Sequence, residues 1–166
     1  AMNPCPCGNY GSRITPCRCT AQQIQRYRNR ISGPMLDRID IHVEMGEVGY
    51  NDIAGRSCGE PSSAIRARVN AARAIQTRRY AGMGILFNAQ LTNRMMNQYC
   101  VLTSDAEALM KKAFAALKLS ARAYTRLLKV SRTIADLAGS EQIKAEHIAE
   151  AIQYRSLESK YWGEIK

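Results

Sequence analysis

Ser120-Ala121-Arg122-Ala123-Tyr124-Thr125-Arg126-Leu127-Leu128-Lys129-Val130-Ser131-Arg132-Thr133-Ile134-Ala135-Asp136-Leu137-Ala138-Gly139 reads as one helix with both ends written into it. Ser120 is a hydroxyl N-cap, and Gly139 is the residue type that stops a helix. Tyr124, Leu127, Leu128, Ile134 and Leu137 recur at helical spacing and are expected inside. The neighbouring stretches follow the same grammar. Pro61 opens a helix to about Tyr80, with Ile65, Val69, Ala72 and Ile75 as its apolar stripe and Gly82 and Gly84 past its end. A shorter helix follows Asn88. Ser104 with Glu107 reads as a capping box ahead of Leu109, Met110, Ala113, Phe114 and Leu117. A last helix carries Ala145, Ile148, Ala149 and Ile152. Residues 61–155 are therefore expected to form a helical bundle, with 156–166 as a loosely held tail.

Residues 1–60 look different. The first twenty are turn chemistry, rich in Pro, Gly, Asn, Ser and Cys. Thr20 and Gln23 form a capping box for a helix with Ile24, Tyr27 and Ile31 on one face, stopped by Ser32-Gly33-Pro34. Then Ile39-Asp40-Ile41-His42-Val43-Glu44-Met45 alternates apolar and polar side chains, the pattern of a half-buried strand. One strand makes no stable sheet, so its partners are expected outside the chain. Residues 46–60 are Gly-rich and polar and read as a linker. The fold class is mainly α: the edge of an α/β core with one or two strands, followed by a helical bundle.

With 46% hydrophobic and 23% charged residues, the chain can bury a core, which excludes a disordered or fibrous protein. No apolar run approaches the roughly 18 residues of a membrane span, and no secretory leader is seen, so a cytoplasmic, non-membrane protein is expected. Lys and Arg number 24 against 14 Asp and Glu, a net +10. Residues 1–60 hold 7 basic and 6 acidic side chains, whereas 61–166 hold 17 and 8. Arg66, Arg68, Arg73, Arg78, Arg79 and Arg94 follow one another with no acid between them. Either this half meets a polyanion such as nucleic acid, or it is a solvated basic face.

Four of the six cysteines are clustered as Cys5-Pro6-Cys7 and Cys17-Arg18-Cys19. Gly8 and Gly11 let the intervening loop fold back. Four thiolates satisfy a tetrahedral Zn²⁺. Reduced, unliganded thiols and a pair of disulfides remain as alternatives, the second disfavoured in a cytosolic setting. Cys58 is isolated, and Cys100 sits in an apolar context as a core filler. His42 and His147 lie in patterned segments and read as structural.

Two arginines break local rules. Arg122 stands in the first turn of its helix, where the dipole favours anions and a cation costs roughly 0.3–1 kcal/mol. It is either an exposed, tolerated arginine or one reaching forward to a phosphate. Arg38 stands between the rigid Gly33-Pro34 turn and the alternating segment. It either pairs with Asp37 or Asp40, or contacts phosphate bidentately.

The run through Ala1-Met2-Asn3-Pro4-Cys5-Pro6-Cys7-Gly8, then Cys17-Arg18-Cys19, then Gln25 to Asp40, strongly resembles the magnesium-chelatase-like AAA+ ATPases of the ComM (YifB) group. Leu119 to Tyr124 and Arg132 to Leu137 resemble the same group, and the likeness runs to about Arg155. It implies a C-terminal third of such a protein: the end of the ATPase core with the Cys-x-Cys loop over 1–60, the helical lid over 61–155 and a tail over 156–166. A chain that begins inside a would-be strand reads as a piece of a longer one. The phosphate loop G-x-x-x-x-G-K-[ST] and a Mg²⁺-binding pair of acids after an apolar run are not found. The chain by itself is therefore expected not to turn over ATP.

The resemblance also implies roles. Asn3 matches the sensor-1 residue that orients the attacking water. Arg38 matches the arginine finger that reaches the ATP of the neighbouring subunit. Arg122 matches the sensor-2 arginine of the lid. ATP and Mg²⁺ are the implied cofactors, with Zn²⁺ at Cys5, Cys7, Cys17 and Cys19. The implied whole is a ring oligomer in which this part joins an N-terminal ATPase portion. It would move on branched or single-stranded DNA as a branch-migration motor or helicase. Two alternatives stay open: the ATPase subunit of a metal-inserting chelatase, and a zinc-stabilised DNA-binding module without activity.

Overall fold

In the computed structural model, which describes residues 1–50, 54 and 59–155, hydroxyl side chains set the start of several helices. Thr20 Oγ1 accepts from Gln23 N–H (3.3 Å) and Gln23 Oε1 accepts from Thr20 N–H (2.9 Å), opening α1 (Ala21–Arg28). The expected stop at Ser32-Gly33-Pro34 opens a further short helix, α2 (Gly33–Leu36), because proline fits a first turn. Pro61 precedes α3 (Ser62–Arg79). A 3₁₀ turn over Asn88–Gln90 leads to α4 (Asn93–Tyr99), capped by Thr92. Ser120 caps α6 (Ala121–Leu137), its Oγ accepting from Ala123 N–H at 3.1 Å, and α7 is Ala145–Gln153.

α5 (Ser104–Ala116) starts one residue earlier than its sequence suggests. Its N-cap is Thr103, whose Oγ1 accepts from Ala106 N–H at 3.4 Å. Thr103 is held extended because its N–H donates to Ile143 O at 3.0 Å. That contact belongs to the isolated parallel bridge between Leu102 and Ile143.

The fold is mainly helical, with α6 at its centre. α6 packs against α3, α4, the 3₁₀ turn and α7, and α5 packs against α7. Leu127, Leu128 and Ile134 of α6 meet Met110, Met96, Ile148, Ala151, Tyr80 and Cys100 in one cluster. Each buried leucine stabilises by about 1.5–3 kcal/mol. Leu137 and Phe114, expected inside, are exposed, as is Ala149, whose place is taken by Ala151. On α3, Ala72 and Gln76 are buried but Ile65 and Val69 are exposed, because only the second half of the helix reaches α6. His147 is buried: its Nδ1 accepts from Lys144 N–H (3.0 Å), and burial lowers its pKa.

A buried ionic network ties α3 to α6. The Asp136 carboxylate takes Arg79 Nη1 and Nη2 (2.9 and 2.6 Å) and Arg132 Nε (3.1 Å). Asn88 Nδ2 donates to it as well, at 2.8 Å, while Tyr80 Oη donates to Asn88 Oδ1 at 2.7 Å. The remaining Arg132 nitrogens donate to Glu141 O (2.7 Å) and Ser140 O (2.5 Å). Arg132 thereby satisfies carbonyls just beyond α6, where Gly139 turns the chain at φ +67°.

Residues 39–45 form no ladder among the described residues, and the partners of the strand read there were expected outside the chain. A ladder needs a partner strand, and the described residues hold none. Ile39, Ile41, Val43 and Met45 are all exposed. The segment is held instead by His42 N–H donating to Tyr154 O at 2.8 Å. Part of the expected linker (51–53 and 55–58, with Cys58) and the expected tail (156–166) lie outside the described residues. No helix among the described residues is long and apolar enough to cross a membrane.

Candidate functional site

The turn carrying Arg38 is fixed by its own backbone. Asp37 N–H donates to Gly33 O (2.9 Å), Arg38 N–H to Met35 O (3.0 Å) and Ile39 N–H to Leu36 O (3.0 Å), with Leu36 buried beneath. Arg38 is exposed, and its guanidinium has no hydrogen bond or ion pair among the described residues. The two acids that flank it are engaged elsewhere. Ser120 Oγ donates to Asp37 Oδ2 at 2.9 Å, and Arg155 Nη2 lies 3.4 Å from Asp37 Oδ1. Asp40 pairs with Arg126 of α6. Arg155 also donates to Ile39 O at 3.1 Å. An ordinary salt bridge from Arg38 to Asp37 or Asp40 is therefore not what these residues form.

Ser120 serves two segments with one hydroxyl: it caps α6 and bonds the Arg38 turn. Arg122 follows two residues later, exposed, its guanidinium without a partner among the described residues. The Ser120–Asp37 hydrogen bond and the Arg126–Asp40 pair thus join the Arg38 turn to the start of the helix that carries Arg122. Asn3 is exposed at the start of the cysteine turn, where a Cβ on Gly8 would sit 3.6 Å from its Nδ2. No hydrogen bond ties Asn3 to Arg38 or Arg122 among the described residues.

The four clustered thiols do come together. Cys5 Sγ lies 3.4 Å from Cys7 Sγ and 3.7 Å from Cys17 Sγ, with Cys7 and Cys17 3.6 Å apart. The sulfurs of all four, Cys19 included, fall within 4.8 Å of one another, and none is in a disulfide. Zn–S bonds of about 2.3 Å put tetrahedral sulfurs about 3.8 Å apart, so the donor set fits this ion. The electrostatics are those of crowded thiols. Backbone hydrogen bonds at Asn9 and Arg18 lower the Cys7 pKa to about 6, whereas desolvation pushes Cys19 up to about 12. Gly8 and Gly11 take φ of +83° and +85°, as the folded-back loop requires. Arg28 mounts the loop on α1: it is buried, donates from Nε to Pro4 O (3.2 Å) and lies 4.5 Å from the Tyr10 ring centre. Cys100 is buried in the core, and burial pushes its pKa up to about 11.

The basic half is sorted by its contacts. Arg68 pairs with Glu60 (2.6 Å), and Arg79 belongs to the Asp136 network. Arg73 lies over the Phe87 ring at 4.8 Å. Arg66, Arg73, Arg78 and Arg94 are exposed. Asp37, Asp40, Ser120, Arg126 and Arg155 were not singled out as site residues from sequence. The flanking acids were visible beside Arg38, but their partners lie more than eighty residues on.

A family model described as magnesium chelatase, subunit ChlI C-terminal, matches residues 59–155. A second, described as magnesium chelatase, subunit ChlI, matches residues 1–53. Competence protein ComM of Haemophilus influenzae is 43% identical over 158 residues, covering 95% of this chain. Uncharacterized protein YifB is 41% identical in Salmonella typhimurium and 39% in Escherichia coli, over 95% of this chain in each case. The chain spans 30% of the length of each of these relatives.

Proposed function

The chain belongs to the magnesium-chelatase-like family of AAA+ ATPases, in its ComM/YifB group, and from that membership we propose that it is the finger-and-lid part of an ATP-driven DNA motor. The observation that carries this reading is the pair of exposed arginines, unpaired among the described residues, on segments joined at Ser120. Arg38 extends from residues 1–60, the end of the ATPase core, toward the nucleotide of a neighbouring subunit in a ring. Its planar fork stabilises charge developing on the phosphoryl group. Arg122 extends from the lid, residues 61–155, toward the same class of ligand, assisted by the helix N-terminus. Asn3 orients the attacking water. Mg²⁺, held by the N-terminal ATPase portion, neutralises phosphate charge when bound.

Cys5, Cys7, Cys17 and Cys19 hold a structural Zn²⁺ whose closed thiolate shell fixes the loop that follows Asn3. Elemental analysis after chelator-free purification is expected to give about one zinc per chain. A value well below that would assign the cluster to reduced, unliganded thiols.

Arg66, Arg73, Arg78 and Arg94 supply a basic surface for DNA phosphates, read without sequence preference. The test is ATP turnover by the full-length protein with and without branched and single-stranded DNA. Turnover is expected to rise with DNA, and the stimulation to fall steeply between roughly 50 and 200 mM salt as counterion release weakens. Turnover indifferent to DNA would shift the reading to the ATPase subunit of a metal-inserting complex, which the family descriptions favour.

A further inference from the structure

We propose that Asp37 and Asp40 are positioning residues, forming with Ser120, Arg126 and Arg155 a latch that makes the Arg38 turn move as one body with the lid. This rests on reading Arg38 as the trans-acting finger. Five contacts hold residues 37–42 to the bundle. They are Ser120 to Asp37 (2.9 Å), Arg155 to Asp37 (3.4 Å), Arg155 to Ile39 O (3.1 Å), Arg126 to Asp40, and His42 N–H to Tyr154 O (2.8 Å). They come from two places in the lid: the start of α6 and the residues just past α7. The Arg155 side chain is almost wholly buried, so the contact at that end excludes water.

The latch does two things for Arg38. It fixes the backbone that carries the guanidinium. It also occupies the carboxylates at the preceding position and two positions on, which would otherwise neutralise an arginine meant for a phosphate. Positioning matters steeply: a misplacement of about 1 Å can cost on the order of 10²-fold in rate. The latch also couples two sites. Arg122 sits two residues from Ser120, so a lid shift that follows nucleotide at Arg122 is delivered through Ser120 and Asp37 to Arg38. A subunit's own nucleotide state thereby sets the finger it offers its neighbour, and the coupling is reciprocal.

The experiment uses the full-length protein with Asp40→Asn, Arg126→Gln, the double variant, Arg126→Lys and, as a control, Arg38→Ala. Asp40 is half exposed and Arg126 only partly covered, so loss of the pair costs little stability and the variants fold. Expected are a fall in kcat of about 10- to 10²-fold with KM for ATP unchanged, a double variant no slower than either single, and partial recovery with Arg126→Lys. Melting temperature separates positioning from bracing. Latch variants that melt lower but keep the original kcat would overturn the proposal. So would wild-type kcat in latch variants beside an inactive Arg38→Ala, which leaves the finger intact as a reading. Full turnover by Arg38→Ala would instead remove the finger, and the latch with it.

Discussion

Arg38→Ala in the full-length protein is expected to lower ATP turnover by on the order of 10³- to 10⁵-fold, the range in which arginine fingers act. Rings are expected to assemble as before, because the side chain is exposed and bonds nothing among the described residues. Its removal leaves no buried partner behind, so the fold loses little. Arg38→Lys keeps the charge but loses the planar fork, and is expected to recover only a small part of the rate. The measurement is steady-state hydrolysis beside a sizing experiment on the same preparations. Undiminished turnover in assembled rings would place the transition-state charge under some other group.

Asp136→Ala is expected to cost about 3–5 kcal/mol, the usual consequence of taking one partner from a buried ion pair. Two guanidinium groups converge on this carboxylate, and the Arg132 side chain is only 1% exposed. Without the acid they repel one another in a site that water hardly reaches. Asn88 loses an acceptor at the same time. A domain has about 5–15 kcal/mol to lose, so much of the population would unfold at modest denaturant. Asp136→Asn is expected to fall between, since its amide oxygen still accepts from one arginine. Urea titrations followed by circular dichroism read both variants. A midpoint unchanged in Asp136→Ala would mean that solvent already satisfies the two arginines.

The parts of the fold legible in sequence were those governed by neighbours along the chain. Thr20, Ser120 and Gly139 punctuate helices through contacts three or four residues away, and they stand where the pattern puts them. The cysteine cluster was legible for the same reason: two Cys-x-Cys pairs with glycines between them close locally. What failed depended on distant partners. The alternation over 39–45 was read as half-buried, but the apolar face it describes is exposed among the described residues, because what would cover it is not among them. Ile65, Val69 and Leu137 were placed inside by periodicity, which marks a face without saying how far a neighbour extends along it. Arg79 was read only as one of the basic run, and Arg132 and Asp136 drew no structural reading, because a charge pattern does not name a distant partner. At the site, Arg38 and Arg122 drew notice by breaking local rules. The acids that hold Arg38 in place bond residues far along the chain.

α3 is one unbroken run of backbone hydrogen bonds, yet its two halves do not share one resistance to opening. From Ala72 onward its amides can exchange with solvent water only if the Asp136 network lets go, which means melting the lid. From Ser62 to Asn70 nothing buried among the described residues opposes unwinding, and those amides exchange at the cost of fraying a few turns. A boundary of protection therefore crosses a continuous helix near Ala71. On its outer side, order is cheap to gain or lose, and whatever comes to lie against those turns sets how much helix is there.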